Sequence, residues 1–179
     1  MAIDTYCMIV NSYDRESDAI ADYDSVRKLY TDLKMIDTYD AAVVTRKPDG
    51  KVEIVKRVEE PTRHGAAIGL GVGLAVGLAV SLFPALGVAL GAGILGGGAT
   101  GGVVGAVTGH VARGLRRSDL KNLGEALDDG TSALLVVAAT DVEERVNAAI
   151  TRAKKQAKAD LETDTNALER EIDAIGKTR

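Results

Sequence analysis

The feature that most constrains the fold is an uncharged, glycine-rich segment in the middle of the chain. Residues 65–112 contain no Asp, Glu, Lys or Arg, and they hold most of the 20 glycines of this 179-residue protein. Glycine recurs there at every fourth position, a spacing that places small residues in one row along a helix. Because glycine costs about 1 kcal/mol relative to alanine in a water-exposed helix, so regular a row indicates a packing role.

We expect two helical arms in this segment, with Pro84 at the turn between them. The small residues in the two rows are Gly65, Gly69, Gly73, Gly77 and Ser81, then Gly93, Gly97, Gly101, Gly105 and Gly109. Such rows let two backbones approach closely, as in the small-xxx-small pairs of membrane helices. The pattern therefore predicts a glycine-zipper hairpin whose small residues mediate helix packing and oligomerisation.

The length and flanks of the hairpin indicate a membrane. As unbroken helices the arms would extend about 28 Å and about 42 Å, and a bilayer core is ~30 Å thick. Arg63 precedes the segment, and Arg113, Arg116 and Arg117 follow it. Basic residues at the open end and an uncharged tip are typical of a hairpin inserted from the cytoplasmic side.

Other interpretations of the segment remain open. A re-entrant hairpin or a soluble oligomer that buries all its hairpins together fits the same pattern. A flexible linker is disfavoured because Val, Leu and Ile fill the spaces between the glycines. Residues 91–96 match G-x-G-x-x-G, but no clear strand precedes them, so a nucleotide loop is also disfavoured.

The flanking regions predict an α+β fold. Residues 1–64 read as strand, helix, strand, strand, with a turn at Pro48-Asp49-Gly50, and residues 113–141 read as helix then strand. With the insertion at 65–112 set aside, this order is that of a ferredoxin-like βαββαβ sandwich. Residues 142–179 complete the chain as a long amphipathic helix, with apolar positions eleven residues apart, and we expect its outer part to contact another chain.

Composition weighs against several function classes. The formal net charge is −4, aromatics are 3% and Trp is absent, so a nucleic-acid surface is not expected. Cys7 is the only cysteine and reads as a core residue. His64 and His110 are the only histidines and lack nearby ligand partners, so neither a metal nor another cofactor is expected. No catalytic constellation is apparent, and we expect no enzyme activity.

Three segments carry a resemblance to a known group. Residues 37–44 read DTYDAAVV, residues 48–52 read PDGKV, and residues 123–137 read LGEALDDGTSALLVV, with the glycine zipper in between. This order resembles the bacterial proteins grouped as domain of unknown function 1269, which are described as membrane or stress-associated. The resemblance runs from Thr5 to Asp141 and implies no active-site residues.

These observations predict a non-enzymatic protein that self-assembles and associates with membrane lipid through the hairpin, with a possible stress-related role implied by the resemblance. The expected location is the cytoplasmic face of the inner membrane, or the cytoplasm as a large oligomer. One alternative is a soluble homo-oligomeric ring or shell. Another is a ligand-sensing ferredoxin-like domain.

Overall fold

The residues that the structure describes form an α+β fold around a six-stranded mixed sheet. The computed structural model describes residues 4–35, 39–57, 74–83, 88–90, 100–127 and 130–164, together with residues 167, 170 and 174. The elements are β1 Asp4–Tyr13, α1 Glu16–Asp32, β2 Tyr39–Arg46, β3 Val52–Arg57, α2 Leu74–Leu82, β4 Val88–Leu90, α3 Thr100–Gly114, α4 Arg117–Leu127, β5 Ser132–Ala139, α5 Glu143–Ala149 and β6 Lys155–Thr163. A 3₁₀ turn, Thr140–Val142, joins β5 to α5.

The six strands lie in the order β4-β3-β2-β5-β1-β6. Neighbouring strands pair antiparallel, except that the three-residue β4 runs parallel to β3. The hairpin between β2 and β3 turns at Gly50, whose φ of 83° suits glycine. Asp49 supports the same turn by accepting a hydrogen bond from the Lys51 backbone N–H at 3.0 Å.

Helices cover both faces of the sheet. On one face α1 and α5 pack over alternate strand residues, among them Ile9 and Val136. On the other face α2, α3 and α4 pack over the residues in between, among them Met8 and Val137. The central strand β5 is therefore buried on both sides, which explains why its sequence is almost continuously apolar.

The predicted ferredoxin-like sandwich is wrong. In that fold the second and last strands of the βαββαβ unit lie at the sheet edges, whereas here β2 and β5 are neighbours in the middle. The helices also lie on both faces instead of one. Element order alone is compatible with either arrangement. The almost continuously apolar sequence of β5 favours a central position in the sheet. The burial of β5 on both faces agrees with that position.

The predicted long C-terminal helix over residues 142–179 is also wrong. Helix α5 ends at Ala149, and Ile150 takes an extended conformation with φ −92° and ψ 107°. Residues from Lys155 onward then pair with β1 as β6. Apolar residues alternate with polar ones at Ala157, Ala159 and Leu161, a pattern that is compatible with a strand as well as with a helix. The strand forms because the edge of β1 is available for pairing.

In the described part of the glycine-rich segment lie helix α2, strand β4 and most of helix α3. Val88–Leu90 form β4, so the second predicted arm is not one continuous helix. Among the residues that the structure describes, no helix is both long and apolar enough to cross a membrane. Gly65, Gly69, Gly73, Gly93, Gly97, Pro84, Arg63 and His64 lie outside the described residues.

Candidate functional site: the glycine-rich helical layer

Helices α2 and α3 form what we call the glycine-rich helical layer, and they pack against each other at Gly77. A Cβ atom built on Gly77 would lie 2.7 Å from Val107 Cγ1, 3.2 Å from the Val107 carbonyl carbon and 3.3 Å from the Thr108 nitrogen. Two of these neighbours are backbone atoms, so the α3 backbone approaches the α2 backbone closely. This contact at Gly77 is formed within one chain.

The other described residues of the rows behave differently from one another. Ser81 donates a hydrogen bond from its hydroxyl to the carbonyl oxygen of Gly77 at 2.9 Å, one turn back along α2. Among the described atoms, a Cβ on Gly109 would meet the Arg113 guanidinium at 3.8 Å, an ordinary contact distance. Gly101 and Gly105 lie within α3. The close approach at Gly77 is therefore not repeated at Gly109.

Helix α2 is a core helix. Its residues from Leu74 to Ala79 are buried, and they pack with Val107 and Val111 of α3 over the sheet. The apolar side chains of α2 therefore cover the β2–β5 region of this chain's own sheet. Only the last turn is partly exposed, where Leu82 and Phe83 are half-buried at the rim of the core.

The two helices run antiparallel, which gives the layer two distinct ends. The start of α2 lies at the end of the sheet where β2 begins, because the Ala75 backbone N–H contacts Asp40. The end of α3 lies at the same end, since Gly114 packs against Leu161 and Glu162 of β6. Phe83 lies at the opposite end, beside Val44 and Ser132.

The charged end of the layer carries three exposed arginines. Arg113 is in the last turn of α3, Arg116 lies between the helices, and Arg117 begins α4. All three side chains are exposed. These three residues of the predicted basic flank therefore lie at the open end of the helix pair, away from Phe83.

A buried carboxylate holds the start of α2 on the sheet. Asp40 of β2 is 2% exposed, and its Oδ2 accepts a hydrogen bond from the Ala75 N–H at 2.9 Å. It thus satisfies one of the free N–H groups in the first turn of α2 from a distant part of the chain. Burial raises the pKa of Asp40 to about 7, while the backbone N–H groups of Ala75 and Ala41 and the charge of Arg57 favour the ionised form.

Sequence reasoning did not identify Asp40 as a functional residue. The signal available was an acidic residue inside the otherwise apolar run YDAAVV. A charge on a strand that is buried on both faces requires a partner. The identity of that partner, a backbone N–H 35 positions away, is visible only in the fold.

A second buried carboxylate, Asp22 of α1, fixes the segment between α5 and β6. Its Oδ2 accepts hydrogen bonds from Tyr13 Oη at 3.1 Å and from the backbone N–H groups of Thr151 and Arg152 at 3.1 and 2.8 Å. Its Oδ1 accepts one from Arg152 Nη1 at 2.8 Å. This cluster turns the chain after α5 and directs it into β6, so its role is structural.

Neither the cysteine nor the described histidine forms a recognisable reactive site. Cys7 is 2% exposed, and burial, with the nearby charge of Glu143, raises its pKa to about 12, so the neutral thiol is a core side chain. His110 lies half-buried on α3. Within the described residues no group of three or more His, Cys, Asp or Glu is placed to hold a metal ion.

A small depression beside Phe83 does not favour ligand sensing. It is lined by Val44, Arg46, Phe83 and Leu127, among others, and its accessible interior is about 10 Å³. This is near the minimum for one water molecule, whereas ligand pockets are roughly 300–1,000 Å³.

In comparisons with protein-family models, with curated proteins and with solved structures, nothing matches this chain. The resemblance to domain of unknown function 1269 therefore stays a prediction. The class that the fold defines is an α+β protein with a glycine-rich helical layer on one face of a mixed sheet.

Proposed function

We propose that this chain is a non-catalytic, self-associating protein that binds a membrane peripherally, at its cytoplasmic face, through the glycine-rich helical layer. The observation that carries the proposal is the polarity of this layer. Its open end presents Arg113, Arg116 and Arg117 to solvent, while its opposite end presents the half-buried Leu82 and Phe83.

The arginines supply the electrostatic part of this binding. A basic residue near an anionic membrane surface contributes about 1 kcal/mol, so three of them contribute about 3 kcal/mol at low salt. That energy alone gives weak, reversible attachment. Lasting attachment needs an apolar contribution as well, and Leu82 and Phe83, half-buried at the end of α2, are its source in this proposal.

A second candidate is a soluble homo-oligomeric assembly that buries the helical layers together. The observation that favours it is the burial of α2 on the chain's own sheet, with Leu74, Leu78 and Ala79 at most 2% exposed. A helix already covered in this way has few apolar side chains left for lipid. In this alternative the arginines and the end of α2 contact other copies of the chain.

Vesicle flotation of the full chain separates the two candidates. We expect the protein to float with vesicles containing anionic phosphatidylglycerol, to float less with neutral phosphatidylcholine vesicles, and to be released as salt is raised. Replacing Arg113, Arg116 and Arg117 by Gln should remove most of the anionic component. Replacing Lys28, Lys34 and Lys51 by Gln, exposed cations outside the helical layer, is the matched control and should leave flotation unchanged.

Absence of flotation with anionic vesicles would contradict membrane binding. Recovery of a large homogeneous particle from a detergent-free lysate, with no lipid attached, would then support the soluble assembly. Light scattering after size exclusion gives the mass of that particle directly.

A further inference from the structure

Strand β6 ends the sheet on one side. It pairs with β1 along all nine of its residues, and among the described residues no strand lies on its other side. A strand of this length at an edge presents a row of unpaired N–H and C=O groups that can pair with another chain. The side chains of β6 therefore determine which other chain can pair with this edge.

The side chains of β6 alternate between two environments. Ala159 and Leu161 are 9% and 0% exposed and belong to the core beneath the helical layer. Lys158, Asp160 and Glu162 lie on the other face and are exposed. The charged face carries positive charge before Ala159 and negative charge after it.

This charge order is self-complementary about Ala159. In an antiparallel pair of two identical strands related by a two-fold axis through Ala159, each Lys158 lies opposite Asp160 of the second copy. The same register places Gln156 opposite Glu162 and the apolar Ala157 opposite Leu161. Opposite charges directly across an antiparallel pair stabilise it, and like charges destabilise it.

The two neighbouring registers are less favourable than the one about Ala159. Paired residues of an antiparallel sheet share a face, so the axis moves in steps that keep the two faces separate. An axis through Lys158 places the two lysines opposite each other. An axis through Asp160 places the two aspartates opposite each other, although it also places each Lys158 opposite Glu162, and it leaves Lys155 and Gln156 outside the pairing of the two strands. Because Ala159 is the midpoint of Lys155–Thr163, the register about Ala159 pairs the whole strand and, of these three, is the one that places no like charges opposite each other.

We propose that β6 is a homodimerisation edge, at which two copies of this chain pair antiparallel about Ala159 into one continuous sheet. The proposal rests on β6 alone and holds whether or not the protein binds membranes. The charges of the edge and the length of the strand together favour one partner, a second copy paired about Ala159.

The ionic surroundings of the edge are compatible with this pairing. Lys158 Nζ already contacts Glu143 Oε1 of α5 at 2.7 Å, and its side chain remains 38% exposed. Asp160 has no basic partner within 4.0 Å among the described residues. The second copy therefore supplies the cation that Asp160 lacks, and Lys158 lies between two carboxylates.

Complementary charge reversals test the pairing. Lys158→Asp places two aspartates opposite each other at both symmetric positions, and Asp160→Lys does the same with two lysines. We expect each single variant to weaken dimerisation at least about tenfold at low salt, measured by sedimentation equilibrium. An equimolar mixture of the two variants should recover the dimer, because every 158–160 contact between unlike chains is then attractive.

The mixture separates pairing from folding. Lys158→Asp also opposes Glu143 within its own chain, but a folding defect in one variant is not repaired by adding the other. Lys28→Asp, an exposed reversal on α1, is the matched control and should dimerise like the unmodified chain. An unmodified chain that stays monomeric at tens of micromolar would overturn the proposal. So would single variants that dimerise normally, or a mixture that does not recover.

Discussion

The close approach of α2 and α3 predicts opposite effects for the same substitution at two glycines. Gly77 and Gly124 both lie inside helices, so replacing either by Ala gains about 1 kcal/mol of helix propensity. A Cβ on Gly124 meets nothing within 4 Å, whereas a Cβ on Gly77 meets Val107 and Thr108. The difference in free energy of unfolding between the two variants therefore gives the cost of placing a Cβ atom at the contact between α2 and α3.

The magnitude follows from the atoms involved. The Val107 methyl group at 2.7 Å belongs to a β-branched side chain with one strongly preferred rotamer in a helix, so it cannot easily turn away. The two backbone atoms at 3.2 and 3.3 Å move only if α3 moves. Overpacking of this kind costs about 1–3 kcal/mol. We expect Gly124→Ala to stabilise the protein by about 1 kcal/mol, and Gly77→Ala to be less stable than Gly124→Ala by about 1–3 kcal/mol.

Urea unfolding followed by circular dichroism measures both free energies of unfolding. The two variants should show the same urea dependence, so that the midpoints report stability directly. If Gly77→Ala is as stable as Gly124→Ala, the two helices are not in close backbone contact and the description of the layer is refuted.

Two buried carboxylates give further predictions. Because the folded-state pKa of Asp40, about 7, lies above its ordinary value of 3.8, the folded chain holds a proton that the unfolded chain has lost between these values. Asp40 should therefore contribute a fall of a few kcal/mol to the free energy of unfolding as pH rises from about 4 to about 7. In urea unfolding over this range, Asp40→Asn should lack this contribution, and the difference between the two proteins measures it. Asp22→Ala should lower the free energy of unfolding, measured in urea, by about 3 kcal/mol, because the Tyr13 hydroxyl and two backbone N–H groups lose their acceptor. Arg152→Ala should lower the free energy of unfolding by less than Asp22→Ala does, since the Arg152 side chain is 46% exposed. An equal loss would contradict the assignment of Asp22 as the group that fixes the segment between α5 and β6.

Much of the local structure could be predicted from the sequence. Helix α1 buries Ala19, Tyr23, Val26 and Tyr30, whose spacing is helical. The Asp49-Gly50 turn joins two antiparallel strands as its chemistry requires. These features depend on neighbouring residues only, so a local pattern is sufficient to predict them.

Features that depend on distant residues could not be predicted in the same way. Periodicity does not encode strand order, and the segment from Lys155 to Thr163 becomes a strand because β1 offers an edge and Asp22 turns the chain before it. The glycine row does not indicate which surface its members pack on, and the neighbours of Gly77, Val107 and Thr108, are visible only in the fold. Asp40 is informative only once the start of α2 is known to lie beside it.

Native-state hydrogen exchange of the α2 amides tests the central claim most directly, which is that the glycine-rich layer is packed on the chain's own sheet. We expect the N–H groups of residues 78–82, within α2, to be protected nearly as strongly as those of the central strand β5. The Ala75 N–H should share this protection through its bond to Asp40. Exchange of these amides at the rate of unstructured peptide, while β5 stays protected, would contradict the account.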